Sequence, residues 1–129
     1  MATRKKIKSV LLVEENEIDI FVILKMLQSC GVTKILTFSN SITALNFLKQ
    51  TADIPQLILL DIALPVMNGF EFLDEFAKLE IAKQPIDIFI LTNSVNPADK
   101  ETARQKNCAG FISKPLTIEK LSEYYDTTK

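Results

Sequence analysis

Five short apolar runs divide the chain: IKSVLLV at 7–13, KILTF at 34–38, LILLD at 57–61, IDIFILT at 86–92 and AGFIS at 109–113. Segments of helical length separate them, and another follows the last run. Near-continuous apolar runs describe strands buried on both faces, and their alternation with helices describes a parallel sheet between two helical layers. The helix starts have local chemistry. Asn16 is placed to cap a helix whose third residue is Asp19, and Asn96-Pro97-Ala98-Asp99 offers a cap, a proline at the first position and an early acid. Thr117 is placed to cap the last helix, and Gly31 to stop the first one after Cys30.

The first helix carries two apolar groups. Val22, Ile23, Met26, Leu27 and Cys30 are expected on the face that meets the sheet. Phe21 and Leu24 fall on roughly the opposite side, with Ile18 at the flank. That second group reads equally as a docking surface or as apolar positions that a neighbouring segment covers or that carry no role.

Composition narrows the chemistry. A chain of 129 residues that is 47% apolar is large enough to bury one core. It contains no repeat, low-complexity tract or linker, so a single domain over 1–129 without an output domain is expected. The 15 basic and 16 acidic residues leave a net charge of -1, with no general pull toward nucleic acid or an anionic membrane. Arg4-Lys5-Lys6 reads as a solvated N-terminal run. The absence of histidine excludes catalysis by the chain's own imidazole and most zinc or iron sites. Cys30 and Cys108 are too few and too distant for a disulfide framework. No apolar run approaches the roughly 18 residues of a membrane span and no signal-peptide core opens the chain. A cytoplasmic protein with reduced thiols is expected.

Candidate chemistry lies at the carboxyl ends of the strands, where open parallel α/β sheets place their ligands. Glu14 and Glu15 follow the first strand, Asp61 ends the third, Thr92 ends the fourth, and Lys114-Pro115 follow the fifth. Three carboxylates around one point need a counter-charge. Mg²⁺ suits them, because it accepts one or two carboxylates and keeps waters that a substrate phosphate displaces. Beside such an ion and an ammonium, Asp61 is the natural nucleophile toward phosphorus, with Thr92 and Lys114 available to two phosphoryl oxygens. Each residue alone has a duller explanation as a cap, a β-former, a loop dipeptide or a solvated acidic pair. Their joint placement at four strand ends is the specific signal.

That arrangement resembles the receiver domain of two-component response regulators. VLLVEEN resembles the family's acidic-pair motif, LILLDIALPVMNGFEFL its phosphoacceptor segment, FILTNS its switch-threonine segment and GFISKPL its aromatic-x-x-Lys-Pro ending. The resemblance spans about residues 7–125. It implies a flavodoxin-like (βα)5 three-layer sandwich with a five-stranded parallel sheet in the order 2-1-3-4-5. Asp61 would accept the phosphoryl group. Mg²⁺ would be held by Glu15, by Glu14 directly or through water, by Asp61, and by the backbone carbonyl of Ala63. Lys114 would hold the phosphoryl group, Thr92 would swing toward it, and Phe111 would rotate into the space Thr92 leaves. A cis peptide bond would join Lys114 to Pro115. A sensor histidine kinase or histidine phosphotransfer protein would supply the phosphohistidine and dock on Ile18, Phe21 and Leu24. The fourth helix, fifth strand and fifth helix, with Phe111, Leu121 and Tyr124 or Tyr125, would then act on a separate downstream protein. No nucleic-acid or membrane partner is implied.

The chain also departs from the family's pattern. Glu15 stands where Asp is usual, and one extra methylene moves a carboxylate by about 1.5 Å, against an ion that demands near-ideal octahedral geometry at about 2.0–2.1 Å. Asn93 replaces a very small residue, and Ala63 and Ser94 flank the path of hydrolytic water. These departures keep open a pseudo-receiver that signals without phosphorylation. Two enzyme-like or ligand-binding readings fit less well. An aspartate-nucleophile phosphatase needs a second Asp where Ala63 stands, and a flavin or nucleotide module needs a glycine- or hydroxyl-rich loop where Glu14-Glu15-Asn16 stand.

Overall fold

Alternation within each apolar run sorts its side chains to the two faces of the sheet. In the computed structural model, which describes residues 4–106 and 108–128, the runs form β1 (Ser9–Val13), β2 (Lys34–Phe38), β3 (Leu57–Asp61), β4 (Asp87–Thr92) and β5 (Gly110–Ser113). The five strands are parallel and lie in the order β2-β1-β3-β4-β5. Between and after them run α1 (Glu17–Ser29), α2 (Ser41–Gln50), α3 (Gly69–Phe76), α4 (Pro97–Gln105) and α5 (Ile118–Ser122). This is the flavodoxin-like three-layer arrangement, in the strand order that the resemblance implied.

Val10, Leu12, Leu57, Leu59, Phe89, Leu91 and Ile112 face one way and pack against Ile23 and Leu27 of α1 and Leu121 of α5. Their neighbours Leu11, Val13, Ile58, Leu60, Ile88 and Ile90 face the other way, against Ala44 and Leu48 of α2, Phe72 and Leu73 of α3, and Ala103 of α4. The period of two along each strand thus builds two cores from one sheet. β2 departs from the expectation of full burial. It is an edge strand, and Lys34, Leu36 and Thr37 are exposed.

The caps follow the sequence reading. Asn16 Oδ1 accepts the Asp19 N–H at 2.9 Å, Asn96 Oδ1 accepts the Ala98 N–H at 3.0 Å beside Pro97 at the helix start, and Thr117 Oγ1 accepts the Lys120 N–H at 3.2 Å. Gly31 has a φ of 86°. Its N–H donates to Gln28 O and the Val32 N–H to Leu27 O, the paired bonds that close a helix on a left-handed glycine. Asn68 and Glu71 form a capping box at α3, which the sequence reading did not identify.

Two expectations need correction, and one needs an addition. Val22 is 48% exposed rather than part of the buried stripe of α1. The buried face runs through Ile23, Leu27 and Cys30 with Ile20 and Met26 packed against it, so the stripe is centred one residue round the helix from Val22. Leu24, placed on the outer side, is half-buried. Arg4-Lys5-Lys6 is exposed as expected, but it is also tied to the rest of the chain: the Arg4 side chain donates to Glu123 O, the Asp126 N–H donates to Lys5 O, and Lys6 pairs with Asp126. The N-terminal segment therefore ties down the chain that follows α5.

Candidate functional site

Four strand ends bring the acidic and basic groups together because the strands are parallel and adjacent. Glu14 continues β1, and its backbone N–H still donates to Phe38 O at 2.9 Å, so the side chain is held over the sheet rather than released into a loop. It is 1% exposed. Its Oε2 accepts the N–H groups of Glu15 and Asn16 at 3.0 and 3.1 Å. Its Oε1 faces the Lys114 ammonium at 2.7 Å. Burial raises the Glu14 pKa and the charge of Asp61 adds to that; the bonds from Lys114 and Asn16 pull the other way without cancelling it.

Asp61 ends β3 and is buried. Its Oδ1 accepts the Ala63 N–H at 3.1 Å and its Oδ2 faces Lys114 at 3.3 Å. The turn that follows is tight enough to require a glycine: a Cβ on Gly69 would lie 2.7 Å from the Asp61 carbonyl oxygen and 2.9 Å from Ile62 Cα. Absence of a side chain at Gly69 therefore lets α3 start directly against the strand end that carries Asp61.

Lys114 reaches the same point from β5. The expected cis bond to Pro115 is present, and Lys120 of α5 donates to Ser113 O at 2.7 Å and to Pro115 O at 2.9 Å, clamping the loop on both sides of Lys114. The ammonium meets Glu14, Asp61 and a third carboxylate, Asp19 of α1, at 2.9 Å. Burial lowers the Lys114 pKa, but the bonds to Glu14 and Asp19 and the charges of Asp61 and Glu14 outweigh it and hold it above the ordinary lysine value. The sequence reading gave Asp19 only a place in a helix cap. Its position as third residue of a helix that starts directly beyond the acidic pair was the available signal, since a first-turn side chain there stands over the strand ends.

Thr92 ends β4 and is buried. Its hydroxyl accepts the Ser94 N–H at 2.8 Å, and Ser94 Oγ in turn donates to Asp99 Oδ2 at 2.5 Å and accepts the Asn96 N–H at 3.1 Å. The threonine is thereby linked to the first turn of α4. Phe111 is half-buried and lines a cavity of about 270 Å³ with Lys100, Arg104, Cys108 and Tyr124. Of the two tyrosines offered for this face, Tyr124 is the exposed one, whereas Tyr125 is buried, as is Leu121. Tyr125 packs in the core with its hydroxyl 2.5 Å from Asp87 Oδ2.

Glu15 is exposed, and among the described residues its carboxylate makes no hydrogen bond. Ala63 is exposed as well. Among the described residues no three acidic side chains stand in an arrangement that would hold a metal ion. The charge at the centre of the carboxylates is that of Lys114. Ile18 and Phe21 are exposed, at 74% and 62%, and Val22 joins them on the surface of α1 while Leu24 turns toward the groove beside β2.

Comparison with known proteins places these residues in a family. The response regulator receiver domain matches residues 10–126. The polar-differentiation response regulator DivK of Brucella anthropi is 31% identical over 116 residues, 90% of this chain and 91% of its own. A two-component response regulator from Cytophaga hutchinsonii superposes with a TM-score of 0.84 at 28% identity, covering 93% of this chain and 95% of its own. The receiver domain of a sensor histidine kinase from Pseudomonas aeruginosa, described with a magnesium ion coordinated in its active site cleft, superposes with a TM-score of 0.76 at 26% identity, covering 95% and 93%. The chain belongs to the response regulator receiver domain family, and so to the phosphoacceptor signalling domains rather than to classical enzymes.

Proposed function

We propose that this receiver takes a phosphoryl group onto Asp61 from the phosphohistidine of a sensor histidine kinase or histidine phosphotransfer protein, and passes the signal to a separate protein. The observation that carries this reading is the convergence on Lys114, whose ammonium lies within 3.3 Å of Asp61 and 2.7 Å of Glu14 at the carboxyl edge of the sheet. In the transfer, an Asp61 carboxylate oxygen bonds to phosphorus as the phosphorus–nitrogen bond to the donor imidazole breaks, and that electron pair leaves with the imidazole. Lys114 then donates to a phosphoryl oxygen. Thr92 donates its hydroxyl proton to another phosphoryl oxygen and in moving toward it pulls on the Ser94 N–H that its oxygen accepts, which tugs on the first turn of α4 through Ser94 and Asp99.

The donor set suits Mg²⁺. Glu14, Glu15, Asp61 and the Ala63 carbonyl are all hard oxygen donors, and among the described residues the Glu15 carboxylate and the Ala63 carbonyl have no hydrogen bond to give up. Among the described residues the three carboxylates do not stand in a metal-holding arrangement on their own, so these four would hold the ion once the exposed Glu15 side chain turns in toward Asp61; when bound, it would supply positive charge against the phosphoryl oxygens. The added charge of the phosphoryl group redistributes two packings that need differ by only a few kcal/mol. Phe111 and Tyr124, beside Lys100 and Arg104, line the surface that changes.

The test is labelling by acetyl phosphate, or binding of beryllofluoride, with and without Mg²⁺. Wild type is expected to respond only with Mg²⁺, Asp61→Asn not at all, and Glu15→Asp at least as strongly as wild type. A wild type that neither labels nor binds the analogue would replace this reading with a pseudo-receiver that signals through its surface alone.

A further inference from the structure

The Lys114 ammonium has three N–H donors, and three carboxylates take them at unequal distances. Glu14 lies at 2.7 Å, Asp19 at 2.9 Å and Asp61 at 3.3 Å. Charge-assisted N–H···O bonds have their optimum near 2.7–2.9 Å, so the first two are full bonds and the third is slack. The side chain of Lys114 is flexible, with four rotatable carbons, and two short bonds from two separate walls are what fix the position of its head. One wall is Glu14, directly after β1. The other is Asp19 on α1.

We propose that Asp19 is a positioning residue for phosphoryl transfer, which with Glu14 fixes the Lys114 ammonium so that its third, slack N–H points at Asp61 and at the group Asp61 receives. The proposal rests on the phosphoacceptor reading above and gives Asp19 a part in it. Asp19 is well suited to be an anchor that keeps its bond while the chemistry proceeds. Its backbone N–H is held by Asn16 at 2.9 Å, so the residue sits at a fixed point in the first turn of α1. Its side chain is 36% exposed, against 1% for Glu14, and its charge is therefore carried at lower desolvation cost. Asp61 is the partner whose oxygen is consumed in the reaction, and its bond is the longest of the three. Losing it to a phosphoryl oxygen leaves both anchors in place.

A double-mutant cycle separates this role from a structural one. The rate of labelling by acetyl phosphate at saturating Mg²⁺ is followed by intact mass, which records slow rates over hours. Asp19→Ala is expected to slow labelling about tenfold, as befits loss of one charged hydrogen bond. Asp19→Asn, which preserves the shape of the side chain and guards against a folding defect, should lie between it and wild type. Asp19→Glu, which restores the charge, should recover most of the loss. In the Lys114→Met background the same Asp19→Ala change should slow labelling less than twofold, because its only partner in the reaction is gone. Labelling of Asp19→Ala at the wild-type rate, or a loss in the Lys114→Met background at least half as large as in wild type, would overturn the proposal while leaving the phosphoacceptor reading intact. Absence of labelling in wild type itself would overturn both.

Discussion

Lys114 Nζ lies 2.7 Å from Glu14 Oε1, although 100 positions separate the two residues in the chain. The contact joins the strand next to one edge of the sheet to the strand at the other, over the carboxyl end of β3 between them. Glu14 is nearly inaccessible to water, so its ionised form depends on this partner and on two backbone N–H groups.

Removing Lys114 should therefore give a pH-dependent loss of stability. In Lys114→Met the bond and charge that lower the Glu14 pKa disappear, while burial and Asp61 still raise it. A carboxyl whose native pKa stands above its unfolded value binds its proton more readily in the native state. Stability is then retained below the unfolded value of 4.5 and lost as pH rises beyond it. Urea melts without metal should show wild type and variant close together near pH 4 and apart by about 2–4 kcal/mol at pH 7. A gap that does not change between those pH values would contradict this account of Glu14.

Tyr125 makes the opposite end of the sheet sensitive to alkali. Burial raises its pKa, and the bond to Asp87 with that residue's charge raises it further. The unfolded chain releases the phenol proton near pH 10.0, whereas the native protein keeps it. The stabilisation is thus complete below pH 10.0 and falls as pH rises above it. Tyr125→Phe should cost about 1–2 kcal/mol at pH 7 through the lost hydrogen bond, then lose less than wild type on going to higher pH. Denaturant melts across pH 7–11 would show the two curves converging.

Much of this was legible in the sequence because parallel sheets write themselves plainly. LILLD and IDIFILT are apolar almost throughout, which only burial on both faces explains, and the acids and the lysine interrupt the pattern where the strands end. The caps were legible because Asn16, Asn96 and Thr117 act on N–H groups two or three residues away. What could not be read depends on contacts across the chain. Asp19 meets Lys114 over 95 positions, and no local pattern marks that. Val22 and Leu24 were misplaced because a wide apolar face leaves the centre of its stripe uncertain by one residue. Whether Tyr124 or Tyr125 would face the surface could not be read either, because the partner that holds Tyr125 inside, Asp87, lies far away in the chain on β4.

Val66 shows strain that no periodicity reveals. Its φ is 66°, and the Met67 N–H reaches back to Pro65 O at 2.7 Å, so the residue sits at the centre of a three-residue turn. A β-branched side chain is poorly suited to that backbone. It is 89% exposed and contributes nothing to the core that would offset the strain. Val66→Gly should raise stability by about 1 kcal/mol, since glycine adopts positive φ without the steric cost that a β-branched side chain meets there. Thermal melts of the two proteins decide the matter, and a lower melting temperature for the variant would mean that Val66 makes a contribution unrelated to its backbone.

The outer surface of α1 supplies the remaining prediction, which concerns where the phosphodonor docks. Ile18, Phe21 and Val22 are exposed together on the helix that begins directly beyond the acidic pair, so a partner seated on them would present its phosphohistidine to Asp61. Lys25 Nζ lies 5.6 Å from the centre of the Phe21 ring, which orients the ring without covering it. Exposed aromatics of this kind carry a disproportionate share of binding energy when a partner buries them. Phe21→Asp should leave stability within about 0.5 kcal/mol of wild type, because the side chain packs on nothing in the core. It should leave labelling by acetyl phosphate unchanged as well, because that small donor needs only the crevice. Phosphotransfer from a cognate kinase or phosphotransfer protein should fall about tenfold or more, the cost of losing one anchoring aromatic. The ratio of the two rates is the decisive quantity, since a defect in the crevice slows both donors alike whereas a defect in docking slows only the protein donor. Equal slowing with both would remove α1 from the docking surface.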